Sequence, residues 1–211
     1  MLGTHDLWVF LLASFLLWIT PGPDTMYIIA RSIAQGRAAG VVSVFGISSG
    51  ILVHTSFAAF GLSIILTTSA WAFTIVKVVG AAYLIYLGIH VLWQKIEPRA
   101  TSGVIAMDTW QVYRQGVLCN ILNPKVAIFF LAFLPQFVDP AAGLGPLPFL
   151  FLGAVFVVGG TLWCLGVSVC AATATETIRR NSRLMVWLER TSGCVYIGLG
   201  LNLLRSKPQA G

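Results

Sequence analysis

The sequence predicts an all-α, polytopic membrane protein, and three observations support this fold class. Of the 211 residues, 57% are hydrophobic and 9% are charged, whereas charged residues make up about 25% of an ordinary soluble domain. Residues 38–76 and 140–175 contain no Asp, Glu, Lys or Arg. Two other apolar segments are interrupted by proline motifs well inside their length. Because a spanning helix needs about 20 apolar residues, five or six spans leave no room for a separate soluble domain.

Six membrane spans are predicted from the distribution of apolar residues. They cover residues 7–30, 41–66, 71–93, 113–137, 147–172 and 187–204. The sixth is the weakest because it is the shortest and begins with Glu189 and Arg190, so a five-span form with a cytoplasmic tail stays an alternative. Tryptophans near the proposed ends fit the headgroup level, where amphipathic rings are favoured. These are Trp71, Trp93, Trp110 and Trp187.

Basic residues are distributed unevenly among the predicted loops, and this asymmetry predicts the orientation. The loops or span edges after the first, third and fifth spans carry basic residues, whereas residues 67–70 and 138–146 carry none. The positive-inside rule places the basic loops in the cytoplasm and both termini outside. Arg205 and Lys207, on the C-terminal tail, are the exception. The basic loop residues are Arg31, Arg37, Lys95, Arg99, Arg114, Arg179, Arg180 and Arg183.

The longest polar stretch, residues 94–112, is predicted to be a cytoplasmic linker between two halves of three spans each. The halves are residues 1–93 and 113–205, and residues 206–211 form a short tail. An odd number of spans in each half means that a structural repeat must be inverted in the membrane. Residues 1–6 contain no Lys or Arg, whereas a cleavable signal has a basic region, so we expect the first apolar segment to be retained.

The first and fourth spans are predicted to be broken near the middle of the membrane. Residues 20–24 read Thr-Pro-Gly-Pro-Asp and residues 123–125 read Asn-Pro-Lys. Proline removes a backbone donor and clashes with the preceding helical turn. It is favourable at the first position of a helix that starts again, with Thr or Asn just before it, so Thr20 and Asn123 are expected to start the new helices. Broken helices at corresponding positions of two halves are typical of transporter binding sites.

The side chains at these breaks suit a zwitterionic ligand. Lys125 offers a cation to a carboxylate, as do the free amides of a restarting helix, and Asp24 offers an anion to an ammonium group or a proton. The alternative is that the two charges pair only with each other and the prolines only shape the bundle. The candidate binding or coupling residues are Thr20, Pro21, Gly22, Pro23, Asp24, His54, Asn120, Asn123, Pro124 and Lys125.

Weaker candidates have structural interpretations beside the functional ones. His54 is predicted either to relay protons or to hydrogen-bond a neighbouring helix, and Asn120 either to contact substrate or to hold the break together. Lys77 and His90 are expected to reach the headgroups. A small-residue face is expected to allow close helix packing. It comprises Gly46, Ser48, Ser49, Gly50 and Ser56.

Other functional classes find little support. Residues 46–50 match the G-x-S-x-G string, but that motif belongs on a strand-to-helix turn, so an intramembrane serine hydrolase is a minor alternative to a carrier. A small oligomeric channel would favour rings of charge or filter carbonyls. The basic excess is explained by cytoplasmic loops, so no nucleic acid is expected, and no cofactor or metal is predicted. Four cysteines without C-x-x-C spacing indicate neither a zinc site nor a disulfide framework.

Five segments of the sequence form a specific combination. They are residues 20–24, Gly36-Arg37, Gly40, residues 123–125 and residues 129–137. Together they resemble the LysE/RhtB family of lysine and homoserine/threonine exporters. The resemblance covers essentially the whole chain. It implies a multi-pass efflux protein of the bacterial inner membrane that exports amino acids or their derivatives by proton exchange, and it implies a homodimer. We therefore expect a secondary transporter rather than an enzyme, working by alternating access. The substrate does not carry over, because members of the family export different amino acids.

Overall fold

A computed structural model describes residues 2–62, 70–93 and 106–173, and the single positions 194, 197, 198 and 201. These residues are helical apart from short connections, and one isolated antiparallel bridge joins Thr4 to Val138. The predicted sixth span lies outside the described residues except at those four positions. The α-helices are α1 (Leu7–Ile19), α2 (Pro23–Phe57), α3 (Ala70–Trp93), α4 (Thr109–Ile121), α5 (Pro124–Ile128) and α6 (Leu147–Thr173). A π-helical turn, Ala58–Leu62, extends α2, and π-helical and 3₁₀ turns extend α5 to Phe137.

The described helices have the length and composition of a membrane protein. Two segments, Pro23–Leu62 and Leu147–Thr173, are long and apolar enough to cross a bilayer. The pair Thr109–Ile121 and Pro124–Phe137, bent by 47°, would be a third. The all-helical membrane class is therefore confirmed, and the number of six spans and the inverted halves stay predictions.

Helix α2 is a helical hairpin rather than one straight rod. Gly36 has φ 82° and ψ −177°, a conformation that only glycine adopts without strain. Residues eight apart in a straight helix would be separated by about 12 Å, yet a Cβ built on Gly40 would collide with the Ser32 hydroxyl. The chain therefore folds back at Gly36. We call residues 23–35 the proximal arm and residues 37–57 the distal arm.

The distal arm packs backbone to backbone against α4, and the two run in parallel. A Cβ on Gly46 would collide with the Tyr113 carbonyl oxygen and lie 3.1 Å from the Gly116 Cα. One turn further along, a Cβ on Gly50 would lie 2.7 Å from the Asn120 Cβ. The prediction of a small-residue packing face is confirmed at these two glycines.

Helix α6 runs antiparallel to the distal arm and packs along its other side. Thr161 and Ser48 share a hydrogen bond of 2.7 Å between their hydroxyl oxygens. A Cβ on Gly153 would collide with the Thr55 side chain. Ser168 lies at the far end, where its hydroxyl is 3.2 Å from that of Ser32 on the proximal arm. Small and hydroxyl side chains therefore let these helices approach closely.

Phenylalanine rings fill the space between α1, the extension of α5, and α6. Ring centroids of neighbouring pairs are separated by 5.0 to 6.2 Å, within the range of favourable aromatic contacts. Beyond this cluster the backbone of residues 3–5 pairs with that of residues 137–139. The cluster closes one side of the helix breaks with apolar rings. Its fully buried members are Phe10, Phe129, Phe130, Phe133, Phe149 and Phe156.

Three boundaries differ from those predicted by four residues or more. The distal arm begins at residue 37, four residues before the predicted start of the second span. Helix α4 begins at Thr109, four residues before the predicted start, because Asp108 and Gln111 form a capping box in which Asp108 Oδ1 accepts from the Gln111 amide at 2.8 Å. The helix after the first break continues to residue 35, past the predicted end at residue 30. Arg31 was expected in a loop and lies on this helix, with only 6% of its surface exposed.

We expect Gly46→Ala to lower the free energy of unfolding by about 1 to 3 kcal/mol, the usual cost of overpacking a tight contact. The new methyl group would have to push the α4 backbone away. Thermal unfolding of the purified protein in detergent measures the effect. Gly166→Ala on α6 is the matched control, because a Cβ there meets nothing within 4 Å. Equal melting temperatures for the two variants would contradict the close packing.

Candidate functional site

The first span is interrupted where the sequence predicts. Helix α1 ends at Ile19, where the Thr20 backbone amide and hydroxyl both donate to the Leu16 carbonyl, at 3.2 and 2.6 Å. Pro21 and Gly22 are extended or non-helical, and α2 begins at Pro23. Thr20 therefore closes the preceding helix and does not cap the next one, contrary to the expectation that it would start the new helix. Gly22 holds the capping position and supplies no side chain.

The second interruption also lies at its predicted position and is capped differently. Helix α4 ends at Ile121 and α5 begins at Pro124. The Asn123 side chain accepts a hydrogen bond from the Lys125 amide at 3.1 Å, so Asn123 is a true N-cap with proline following it. Asn123 is 2% exposed. Asn123 therefore starts the new helix, as its position just before Pro124 predicts.

The two breaks meet, and a buried lysine joins them. Lys125 is 7% exposed, and its Nζ donates to the Thr20 carbonyl oxygen at 2.7 Å. The Thr20 carbonyl is available because α1 ends at this point, so no later backbone amide of that helix donates to it. A Cβ on Gly22 would lie 3.5 Å from the Lys125 Nζ. The ammonium of the second break therefore lies against the backbone of the first.

Asp24, in the first turn of the proximal arm, faces α4 rather than solvent alone. Its Oδ2 accepts from the Asn120 Nδ2 at 2.7 Å, and its Oδ1 lies 3.7 Å from the Cys119 sulfur, which donates to it. Asn120 is fully buried, and its Oδ1 has no hydrogen-bond partner among the described groups. The two charges thus have different hydrogen-bond partners, Asp24 on α4 and Lys125 on the end of α1.

His54 belongs to the same polar group. Its Nε2 lies 3.1 Å from the Asn120 carbonyl oxygen, and because a carbonyl only accepts, this nitrogen carries the hydrogen. The ring is 9% exposed and lies beside Phe130 at a centroid distance of 6.0 Å. Asn120 therefore contacts both residues, His54 through its backbone carbonyl and Asp24 through its side-chain amide. The His54 bond joins the distal arm to α4, so the hydrogen bond to a neighbouring helix that was one of the two predictions for His54 is confirmed.

All ten predicted site residues lie at or beside the paired breaks, and Ser48 does not. Ser48 donates to the Val44 carbonyl and shares its hydrogen bond with Thr161 on α6, which is a packing arrangement. The side chains of Lys77 and His90 lie outside the described residues.

Two residues of functional interest were not predicted from the sequence. Cys119, one of the four cysteines assigned to neither a zinc site nor a disulfide, touches the Asp24 carboxylate. Arg31 was counted as a loop charge and is buried against α4. Arg31 lies seven residues after Asp24, on the same helix face, so it had a periodic signal. The signal for Cys119 was only its place beside Asn120 in the sequence.

Comparison with known proteins identifies the family of the chain. The LysE type translocator family matches residues 15–207, which includes both breaks. The chain belongs to the LysE type translocator family. It is therefore a membrane translocator and not an enzyme, and the resemblance noted in the sequence is confirmed.

Relatives of this LysE-type chain cover nearly its full length. An uncharacterized membrane protein of Pseudomonas aeruginosa is 30% identical over 207 residues, covering 96% of each chain. An uncharacterized membrane protein of Bacillus subtilis is 27% identical, covering 93% of this chain and 97% of its own. The leucine efflux protein of Salmonella typhimurium is 23% identical, covering 95% of each. No solved structure matches the chain.

We expect Asn123→Ala to lower the free energy of unfolding by about 1 kcal/mol, the usual cost of losing an N-cap. Asn123→Ser is the matched control, because a hydroxyl can still accept from the Lys125 amide. Thermal unfolding in detergent compares the two. If serine is as destabilising as alanine, the capping bond is not what Asn123 contributes.

Proposed function

We propose that this translocator is a secondary active transporter that exports amino acids from the cytoplasm in exchange for protons. The observation that carries the proposal is the meeting of the two helix breaks, where Lys125 contacts the end of α1 and Asp24 begins the proximal arm. Irregular backbone at membrane depth is tolerated only where it is buried in protein or lines a cavity. Paired helix breaks at membrane depth are typical of transporter binding sites.

The chemistry of the breaks favours a zwitterionic, neutral amino acid as substrate. Lys125 and the uncapped first turn of α2 offer positive charge to the carboxylate. Asp24 and the unpartnered Asn120 Oδ1 offer acceptors to the ammonium group. One cation and one anion balance the two charges of the ligand. Leucine is the first candidate to test, because the Salmonella relative is a leucine efflux protein.

Asp24 is proposed as the group that couples efflux to protons. Its carboxylate is partly buried and is held by an amide and a thiol rather than by a cation in hydrogen-bond contact. An intramembrane carboxylate that substrate and proton both reach can bind one only after releasing the other. His54 is proposed to carry protons toward the site. It binds the Asn120 backbone carbonyl, whereas Asp24 binds the Asn120 side-chain amide, so water between His54 and Asp24 would complete the path.

The proposed cycle is alternating access by a six-span protein with both termini outside and two inverted halves. The phenylalanine cluster would close the outer side of the site, and the proximal arm and α4 would close the cytoplasmic side. The proposed location is the bacterial inner membrane, where the protein would act as a homodimer. Pro21, Pro23 and Pro124 would keep the breaks open in every state.

Cells with and without the protein, challenged with toxic concentrations of each amino acid, would identify the substrate, with leucine tested first. Counterflow of that amino acid in proteoliposomes then separates a carrier from the alternative, a small channel. A carrier exchanges labelled for unlabelled substrate and saturates. Flux that rises linearly without counterflow would reject the proposal.

We expect Asp24→Asn to reduce efflux driven by a proton gradient by at least about tenfold, equivalent to about 1.4 kcal/mol. Asparagine cannot bind and release the coupling proton, so the residual flux should not depend on pH. Uptake into inside-out vesicles under an imposed pH gradient measures this, with protein abundance checked in the same membranes. The control is Asp6→Asn at an exposed carboxylate. Full activity of Asp24→Asn at several pH values would remove Asp24 from the mechanism.

We expect Lys125→Ala to raise the substrate concentration for half-maximal counterflow by about tenfold or more, because hydrogen bonds to charged groups contribute about 1.5 to 3 kcal/mol. Arg114→Ala, which removes an exposed cation on α4, should leave that concentration unchanged. An unaltered concentration dependence in Lys125→Ala would show that the lysine is structural.

A further inference from the structure

Arg31 lies at the centre of a polar cluster between the proximal arm, α4 and the residue that precedes the α4 cap. Its two terminal nitrogens donate to the Gln35 Oε1 at 2.9 Å and to the Gln115 Oε1 at 3.0 Å. The second nitrogen also lies 2.9 Å from the Met107 sulfur, and the Gln35 amide donates to the Met107 carbonyl at 2.7 Å. The guanidinium carbon is 5.6 Å from the centre of the Tyr27 ring, a cation–π distance.

The cluster lies on the path between the site and one end of the bundle. Asp24 and Arg31 share one face of the proximal arm, two helical turns apart, and Cys119 and Gln115 share one face of α4, one turn apart. The proximal arm and α4 run antiparallel, so Arg31 contacts Gln115 just as Asp24 contacts Cys119. The Arg31 cluster therefore lies beyond Asp24 along the interface between these two helices.

The two arms of α2 contact α4 in different ways. The backbone of the distal arm packs directly against the backbone of α4 at Gly46 and Gly50, so these two helices cannot separate without losing close packing. The proximal arm contacts α4 through side-chain hydrogen bonds, from Asp24 and Arg31 and from the Tyr27 hydroxyl, which donates to the Val112 carbonyl at 2.7 Å. Hydrogen bonds of this kind can exchange partners with water. The contact between the proximal arm and α4 is thus the separable one.

The acceptors that α4 and Met107 present to Arg31 are neutral, which suits a contact that opens. The hydrogen bonds from Arg31 to Gln115 and to the Met107 sulfur can each break without leaving a carboxylate unpaired. Gln115 is exposed, so its side chain can leave Arg31 without displacing packed neighbours. We propose that the Arg31 cluster is the cytoplasmic gate of the transport path, shown here in its closed state; this inference rests on the proposed function and orientation.

Gln115 allows a test in which two substitutions have opposite effects. Gln115→Glu replaces the amide oxygen that accepts from the Arg31 guanidinium with a carboxylate, which turns the hydrogen bond into an ion pair, and should hold the gate closed. Gln115→Ala removes the bond and should let the gate open more often. A purely structural role would make both variants looser than the wild type.

The native thiol beside the site reports the state of the gate without any substrate. In a background with Cys164, Cys170 and Cys194 replaced by serine, inside-out vesicles are treated with a membrane-impermeant maleimide. We expect Cys119 in Gln115→Ala to be labelled faster than in the wild type, and in Gln115→Glu more slowly, with about a tenfold difference between the two variants. Adding Cys119→Ser should abolish the labelling.

Tyr113→Phe is the matched control, because it removes a different hydrogen bond between α4 and α2, from the Tyr113 hydroxyl to the Ser49 hydroxyl at 2.8 Å. It should leave the Cys119 labelling rate unchanged. The gate is rejected if Gln115→Ala and Gln115→Glu shift the rate in the same direction or leave it unchanged. It is also rejected if the difference appears only in right-side-out vesicles. Absence of counterflow in the wild type would reject the proposed function instead, since labelling needs no transport.

Discussion

A lysine ammonium among apolar helices needs an acceptor that water would otherwise supply, and the organisation of this site follows from how Lys125 obtains one. Its acceptor is the Thr20 carbonyl oxygen, which is exposed to it because α1 stops there. The charge of one break is therefore satisfied by the open backbone of the other. Continuous helices would leave Lys125 without this acceptor, so the two interruptions depend on each other.

This dependence gives the bundle a fixed part and a separable part. The distal arm, α4 and α6 are held by glycine and hydroxyl contacts at backbone distance, and phenylalanine rings fill one side of the breaks. The proximal arm carries Asp24 and Arg31 and reaches α4 through polar side chains. A translocator needs a rigid frame and an interface that opens, and these two kinds of contact have the physical properties that each requires.

The positions of the helix breaks could be predicted from the sequence, but the residues that contact the side chains near them could not. Prolines determine where the helices stop, so both interruptions and the Asn123 cap were predictable. The contacts of Arg31 with Gln115, 84 residues away, depend on how the arms fold back, and no local pattern encodes them. Arg31 was counted as a loop charge because the positive-inside rule assigns basic residues to cytoplasmic loops. The rule describes how basic residues are distributed among loops and does not report whether one side chain is buried. The early start of α4 was encoded in its capping box and was obscured by the polar composition around it.

The hairpin at Gly36 places strict limits on changes in chain length. Helix α4 is in register with both arms at once, and one inserted residue in an arm would rotate everything beyond it by about 100°. Asp24 or Gly46 would then turn away from α4, even though no side chain had been substituted. The turn between α5 and α6 is less constrained at Gly143 and Gly145, where a Cβ would meet nothing within 4 Å, although Ala142 and Leu144 beside them pack against Gly3. Insertions are thus better tolerated at these two glycines than in either arm.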